Sequence, residues 1–313
     1  MLLRNIPLKK YSSFRIGGPA SYFYEVKSAD EFGQVLQEWR EINGDLNKIF
    51  VLGEGTNILF NDNGYDGLVI KNNINFLERD GTWVNVGGGT TVSALVNFCA
   101  QNSLSGIEWA GGLPGTIGGG IRGNAGAFLG DMAKNTIEVK SIDIKNLKIK
   151  KRNKKECKFD YRQSVFKQNE GKNEIILSAK FSFKKGNREE IKTKTQEKVD
   201  YRIERHPLDL PNIGSTFKNV DVKKVPPKVL EMFKDKIKPD PFPVLPAAKL
   251  IDGAGLKGKV IGGAKFSEKH PNFIVNFNNA KARDVLGLIK FAKEKIKEKY
   301  NVSLEEEILV MPA

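Results

Sequence analysis

GEGTN at 53–57 follows the apolar run KIFVL, so a strand feeds a tight turn of two glycines and small polar residues. Backbone N–H groups exposed at such a turn can cradle a phosphate. The turn is not a GxGxxG dinucleotide fingerprint, because Ile58 stands where the third glycine belongs, and no GxxxxGK[ST] occurs in the chain. An ordinary strand-to-turn transition is the plainer reading of GEGTN alone. A second segment, GGLPGTIGGGIRGNAGAFLG at 111–130, has nine glycines in twenty residues. Leu113, Ile117, Ile121 and Phe128 make it too apolar for a flexible linker. Glycine lets the backbone approach a ligand closely, Pro114 fixes a turn, and Asn124 offers an amide. A flat, phosphate-bearing cofactor would use both segments, one for its diphosphate and one for its ring system. The competing reading is a glycine-rich crossing of buried elements.

Other reactive side chains are scattered. Tyr161, Arg162 and Ser164 lie among aromatics in FDYRQSVF, where an arginine commonly stacks and forms an ion pair. Ser215 in PNIGSTFKN reads by itself as a turn hydroxyl, with no GxSxG elbow around it. His206 and His270 each precede a proline. LEEEILV at 304–310 sets Glu305, Glu306 and Glu307 at the start of an expected strand, which alone reads as a solvated edge. Cys99 and Cys157 are the only cysteines, with no CxxC and no paired histidines, so neither a disulfide framework nor a metal site is expected.

These residues need elements to position them. The first third alternates strand and helix: strands at 20–26, 48–52, 68–70 and 83–86, a helix at 29–39 capped by Ser28, and another at 91–101. Strands are predicted at 137–144 and 174–183, a polar helix at 187–205, helices at 247–256 and 281–300, and a closing strand at 304–310. The proline-rich stretch 226–246 reads as a surface excursion around one short helix. No internal repeat is present.

A chain of 313 residues suggests about two domains. With 40% hydrophobic and 28% charged residues it can bury a sizeable core. No apolar run is long enough to span a membrane, and the start has no apolar signal region. A cytoplasmic protein is expected. The formal charge of +14 suits either a nucleic-acid binder or a Lys-rich surface with anionic substrates. The basic run at 145–158 holds no aromatic and that at 290–299 only Phe291, and the second alternates with Glu like an exposed helix, so nucleic acid is not the expected partner.

The order of YSSFRIGG, VLGEGTNIL, GLPGTIGGGIRGNAGA, YRQSVF, PNIGSTFKN, AAKLIDGAGLKG, KHPNFIVN and VSLEEE resembles the UDP-N-acetylenolpyruvoylglucosamine reductase family across residues 11–310. The resemblance implies an α+β fold: a two-part FAD-binding domain of the vanillyl-alcohol-oxidase/PCMH type plus a third α+β substrate-binding domain. The implied boundaries are 1–72 and 73–205 for the two FAD-binding parts, the second completed by a strand at 304–313, and 206–303 for the substrate domain. The implied activity is NADPH-dependent reduction, through FAD, of the enolpyruvyl group of UDP-N-acetylglucosamine enolpyruvate to UDP-N-acetylmuramate for peptidoglycan precursor synthesis. Another FAD-dependent hydroxy-acid oxidase of the same fold is the alternative. A small-molecule substrate, no membrane partner and a monomer are expected.

The resemblance also implies roles. Arg162 steadies the enolpyruvyl carboxylate, Ser215 protonates the carbanion, and Glu307 is the partner acid. Gly53, Glu54, Gly55, Thr56 and Asn57 hold FAD from one side, with Gly115, Thr116, Gly118, Gly119, Asn124, Ala125 and Gly126 on the other. Tyr161, Lys218, Asn219, His270, Arg202 and Arg205 meet the substrate, and Lys218, Arg202 or Arg205 could raise the acidity of Ser215. The planar arginine fork suits a carboxylate on which charge builds, and a placed hydroxyl can deliver a proton. The chain departs from the family pattern at Ser12, at Glu306 in LEEE where the family has LEPE, and at His270. Only 53 residues separate Arg162 from Ser215, which resembles the subclass without a covering tyrosine loop.

Overall fold

A computed structural model of the chain describes every residue except Asn43, Asp240, Pro241, Pro312 and Ala313. Two compact units emerge. The first comprises Met1–Ile6, Ala20–Glu54 and Asp66–Arg202; the second comprises Pro7–Pro19, Gly55–Tyr65 and Ile203–Ala313.

The first unit has two larger sheets, besides two short two-stranded pairings. One is four-stranded, in the order Leu3–Pro7, Pro19–Val26, Tyr65–Asn72, Ile49–Leu52. The last two strands run parallel and pair Leu52 with Lys71. Helix α1, Ala29–Glu41, begins where the Ser28 side chain accepts the Glu31 N–H at 3.2 Å. It buries Phe32, Val35, Leu36 and Trp39, a helical spacing, into a core shared with Val26, Leu68 and Ile70. Each such side chain contributes about 1.5–3 kcal/mol by leaving water.

The other sheet is antiparallel, in the order Ile149–Asn153, Thr136–Asp143, Glu174–Ser182, Trp83–Gly87, Leu77–Asp80. Helix α2, Val92–Gln101, starts at the Thr91 cap. The glycine-rich segment contains helix α3, Ile117–Gly123, and is followed by the short α4, Met132–Asn135. Ile117 and Ile121 are buried beside Val84, Val86 and Phe166. Helix α5, Arg188–Arg205, is polar and buries little besides Ile191 and Arg202.

The second unit has an antiparallel sheet in the order Asn212–Ser215, Phe273–Asn276, Ala264–Phe266, Val260–Ile261. Helices α6, Pro227–Met232, α7, Ala247–Gly253, and α8, Ala282–Tyr300, complete it. The α8 start is fixed by Asp62, whose carboxylate accepts the N–H groups of Ala282 and Arg283 at 2.7 and 3.1 Å.

Two expectations are corrected. The closing strand shrinks to Leu309–Val310, which pairs parallel with Ile58–Leu59 and stands outside the five-stranded sheet. The last two residues of the expected 304–313 segment lie outside the described residues. The proline-rich stretch is more than a surface excursion. Val225, Val229, Val244 and Leu245 flank or lie within it and are buried in the second unit's core, while Pro241 lies outside the described residues. Glycine content did not prevent a helix at 117–123, because its first N–H groups find fixed acceptors.

Candidate active site

The two glycine-rich segments meet. A Cβ at Gly53 would lie 2.5 Å from Thr116 Oγ1, so only glycine lets the 53–57 turn pack against the start of α3. Gly55 has φ +64° and faces the Tyr11 carbonyl, so it too must be glycine. Lys71, at the end of its strand, donates from Nζ to the Gly53 carbonyl and to Glu54 Oε1, both at 2.7 Å. Among the described residues, no backbone N–H of Gly53, Glu54, Gly55, Thr56 or Asn57 donates to a protein acceptor. That loop therefore keeps the donors an anionic group requires.

Helix α3 differs. The N–H of Ile117 donates to the Thr90 carbonyl at 2.9 Å, that of Gly118 to the Gly88 carbonyl at 2.8 Å, and that of Gly119 to Thr116 Oγ1 at 3.3 Å. Its N-terminal donors are thus committed within the protein. What α3 offers is clearance. A Cβ at Gly119 would meet only Thr116 Oγ1, at 3.5 Å. Gly126 by contrast is required by the fold, since a Cβ there would sit 2.7 Å from the Gly130 carbonyl. Gly115 has φ +106°, which places it in the turn that leads to Thr116.

Arg162 sits on a tight turn in which Asp160 and Gln163 exchange backbone hydrogen bonds at 3.1 and 3.0 Å. Its φ of +56° is left-handed, an unusual state for a side chain of this size. Its Nη2 donates to the Gly126 carbonyl at 2.9 Å, and its guanidinium carbon lies 5.0 Å from the Tyr161 ring centroid. Asn124, assigned to FAD from sequence, spends its amide inside the protein. Nδ2 donates to Asp131 Oδ2 and to the Asp160 carbonyl, each at 3.0 Å, and Oδ1 accepts the Ala133 N–H at 3.0 Å. Ala125 is similarly engaged: its N–H donates to the Gly120 carbonyl and its carbonyl accepts from Met132.

In the second unit Ser215 ends its strand opposite Phe273, after a register shift and after Gly214 with φ +83°. The residues that follow pair with the acidic run. Lys218 N–H donates to the Glu305 carbonyl at 2.9 Å and Glu307 N–H to the Thr216 carbonyl at 2.8 Å, around a bridge between Phe217 and Glu306. Alternation along this pairing sends Glu306 to one face and its neighbours to the other. Glu306 meets Lys293 of α8 at 2.7 Å. Glu305 is gripped by Lys218 at 3.3 Å and Lys224 at 3.2 Å. Hydrogen bonds from Lys224 and Lys218 hold its carboxyl below the usual range. Asn57 Nδ2 donates to the Glu307 carbonyl at 3.2 Å, tying the loop to the acidic run.

The remaining predicted residues divide. Asn219 Oδ1 accepts the Ala247 N–H at the start of α7 at 3.2 Å. His270 stacks edge-on with His206 and Phe273, at 5.5 and 4.8 Å between centroids. Burial pushes the His270 imidazole down to about 4, with Lys238 and Lys249 adding to the shift, so it is neutral at physiological pH. Arg202 is buried in the first unit. Its Nε donates to the Gly111 carbonyl at 2.8 Å and its guanidinium lies against the Phe128 ring, which makes it a support for the glycine-rich segment. Arg205 is exposed beside Glu204 at 3.1 Å.

Sequence reasoning missed Lys71 and Asn272. Asn272 accepts the Phe217 N–H at 3.0 Å and donates to the Phe217 carbonyl at 2.8 Å, holding the segment just after Ser215. Its place in KHPNFIVN gave no local signal, because its partner lies 55 residues away. Among the described residues no group of His, Cys, Asp and Glu is arranged to hold a metal, and no helix is long and apolar enough to cross a membrane.

Known proteins resemble the chain over its whole length. Residues 20–146 match an FAD-binding domain family, and residues 206–311 match the C-terminal domain of UDP-N-acetylenolpyruvoylglucosamine reductase. The chain is 38% identical over 311 residues to the reductase of that name from Caldanaerobacter subterraneus subsp. tengcongensis, covering 99% of this chain and 93% of the relative. It is 35% identical over 308 residues to that from Clostridium novyi, covering 98% and 91%. The crystal structure of the Thermus caldophilus reductase superimposes with a TM-score of 0.77 at 29% identity, covering 100% of both chains.

Proposed function

The chain belongs to the UDP-N-acetylenolpyruvoylglucosamine reductase family, and from that premise we propose how its residues divide the work. It has the two-part FAD-binding architecture with an additional α+β domain. It is an FAD oxidoreductase that reduces the enolpyruvyl group of UDP-N-acetylglucosamine enolpyruvate to UDP-N-acetylmuramate, a peptidoglycan precursor. NADPH is the proposed electron source, the cytoplasm the proposed location, and a monomer the working form. Residues 1–72 and 73–205 are the proposed FAD-binding parts and 206–303 the substrate part.

The residues present fit FAD. The 53–57 loop keeps its N–H donors for a diphosphate, Lys71 adds a cation beside Gly53 and Glu54, and Gly119 leaves clearance for a ring. Held there, FAD would supply the hydride chemistry that the reduction needs, with NADPH as the proposed donor. Arg162 holds the substrate carboxylate, where negative charge grows as the neighbouring carbon becomes enolate-like. Ser215 delivers the proton to that carbon, and Glu307 meets the carboxylate end. Tyr161, Lys218, Asn219 and His270 are the proposed substrate contacts, Asn219 for the diphosphate.

The pairing of 216–218 with 305–307 carries this reading, because it sets the backbone of Glu307 next to the residue after Ser215. The test is a two-step spectroscopic experiment. Purified protein should show a flavin band near ~450 nm. NADPH alone should bleach it without oxygen, and UDP-N-acetylglucosamine enolpyruvate should restore it. Restoration that requires oxygen and ignores this substrate would instead identify an oxidase.

A further inference from the structure

We infer that Asn124 is a positioning residue that latches the Arg162 turn onto the glycine-rich segment. The inference rests on the assignment of Arg162 to the substrate carboxylate. Arg162 is carried by two residues between Asp160 and Gln163, a span that could pivot freely if held only by its own ends. Three bonds stop it. Asn124 Nδ2 donates to the Asp160 carbonyl at 3.0 Å, Ser164 Oγ donates to the Arg122 carbonyl at 2.7 Å, and Arg162 Nη2 donates to the Gly126 carbonyl at 2.9 Å. All three join 160–164 to 122–126.

Asn124 is the centre of this latch. Its left-handed backbone, φ 42° and ψ 58°, ends α3, a conformation asparagine tolerates better than most residues. The residue is 3% exposed, so its own amide is shielded from competing water. The two protons of Nδ2 divide between Asp131 and Asp160, and Oδ1 accepts the first turn of α4 through Ala133. One amide therefore fixes the end of α3, the start of α4 and the root of the arginine turn. The Asp160 carbonyl accepts from both Gln163 and Asn124, which fixes its direction as well as its position.

Asn124→Asp is nearly isosteric. It keeps the acceptor for Ala133 and removes both donors, and it brings a second carboxylate towards Asp131. A displacement of about 1 Å in a group that orients substrate costs about 10²-fold. Asn124→Asp should thus slow reoxidation of reduced flavin by the enolpyruvyl substrate by roughly 10- to 100-fold, while NADPH bleaches the flavin at the wild-type rate. In an Arg162→Lys background, which already lacks the correctly forked group, Asn124→Asp should add less than about twofold. Multiplying losses, or an equal slowing of both half-reactions, would overturn the latch. If Arg162→Lys itself leaves reoxidation unchanged, the assignment of Arg162 fails instead. Should Asn124→Asp yield no folded flavoprotein, Ser164→Ala removes one bond of the same latch. It should slow reoxidation alone by a smaller factor, and an unchanged rate there would also overturn the inference.

Discussion

Glu307 donates its backbone N–H to the carbonyl of Thr216 at 2.8 Å, so the third carboxylate of the LEEE run is registered against the residue after Ser215. The Phe217–Glu306 bridge between them turns Glu306 towards Lys293, where the family pattern has proline. Glu305 shares a face with Glu307 but is held by Lys218 and Lys224. Glu307 is the proposed acid that meets substrate, with Glu305 as the alternative. Glu307→Gln should slow flavin reoxidation roughly 10- to 100-fold, the worth of one charge-assisted hydrogen bond. Glu305→Gln should have the smaller effect in the same stopped-flow assay, and the reverse order would move the role to Glu305.

Ser215→Ala should separate the two halves of the reaction. It removes one hydroxyl at a partly exposed strand end, so folding and FAD binding persist. NADPH should bleach the flavin at a near-normal rate, while transfer to the enolpyruvyl substrate falls at least ~10²-fold. Cysteine at 215 should recover part of the rate, since a thiol can also give a proton. A loss confined to the NADPH half would remove Ser215 from its assigned role.

Arg162→Lys keeps the charge and discards the planar fork. Bound flavin should be retained and reoxidation by substrate slowed by at least about tenfold. Equal rates in variant and wild type would leave Arg162 with a purely structural part.

Two glycines of one segment should respond oppositely. Gly119→Ala meets only Thr116 Oγ1 at 3.5 Å, so flavin-free protein should keep its stability or gain up to about 1 kcal/mol from better helix propensity. FAD affinity should nevertheless fall, because the methyl occupies ligand clearance. Gly126→Ala forces a Cβ to 2.7 Å from the Gly130 carbonyl and should destabilise the flavin-free protein by about 1–3 kcal/mol. Urea unfolding and FAD titration distinguish the two, and tight FAD binding by Gly119→Ala would show that the ring lies elsewhere.

Acid should weaken the first unit through Glu174. Burial alone would raise this carboxyl, but hydrogen bonds from Arg152, Lys150 and Ser141 overcome it and bring it down to about 2. A depressed carboxyl stabilises the fold above its unfolded value near 4.5, and the contribution disappears as pH falls towards 2. The shift corresponds to about 3 kcal/mol. Glu174→Gln should lower stability by roughly that amount at pH 7, with the gap to wild type closing below about pH 4.5. Trp39, Trp83 and Trp109 all lie in the first unit, so tryptophan emission follows its unfolding. A gap that stays constant down to pH 3 would exclude this origin.

Local chemistry made much of the fold legible. Ser28 announced the start of α1, the helix read at 91–101 became α2 with Thr91 as its cap, and the apolar runs at 20–26 and 174–183 became strands. What sequence could not supply were partners distant in the chain. Asn124 read as an amide offered to a ligand because nothing nearby revealed the Asp160 carbonyl, 36 residues on. Arg202 gave no local sign of its bond to the Gly111 carbonyl, 91 residues back. Residues 305–307 looked like a strand, yet their pairing is confined to a single bridge and its flanking bonds.

Helix α3 has a consequence for the order in which the protein folds. Its sequence, IGGGIRG, holds four glycines, which together disfavour a helix by about 4 kcal/mol relative to alanine. An isolated chain would keep no nascent helix there. The Thr116 cap is local, but the acceptors at Gly88 and Thr90 and the burial of Ile117 and Ile121 depend on the surrounding elements. The helix is therefore expected to form late in folding. Its amides should exchange with deuterium through an opening smaller than global unfolding, one that bound flavin suppresses, while the strands beneath stay protected.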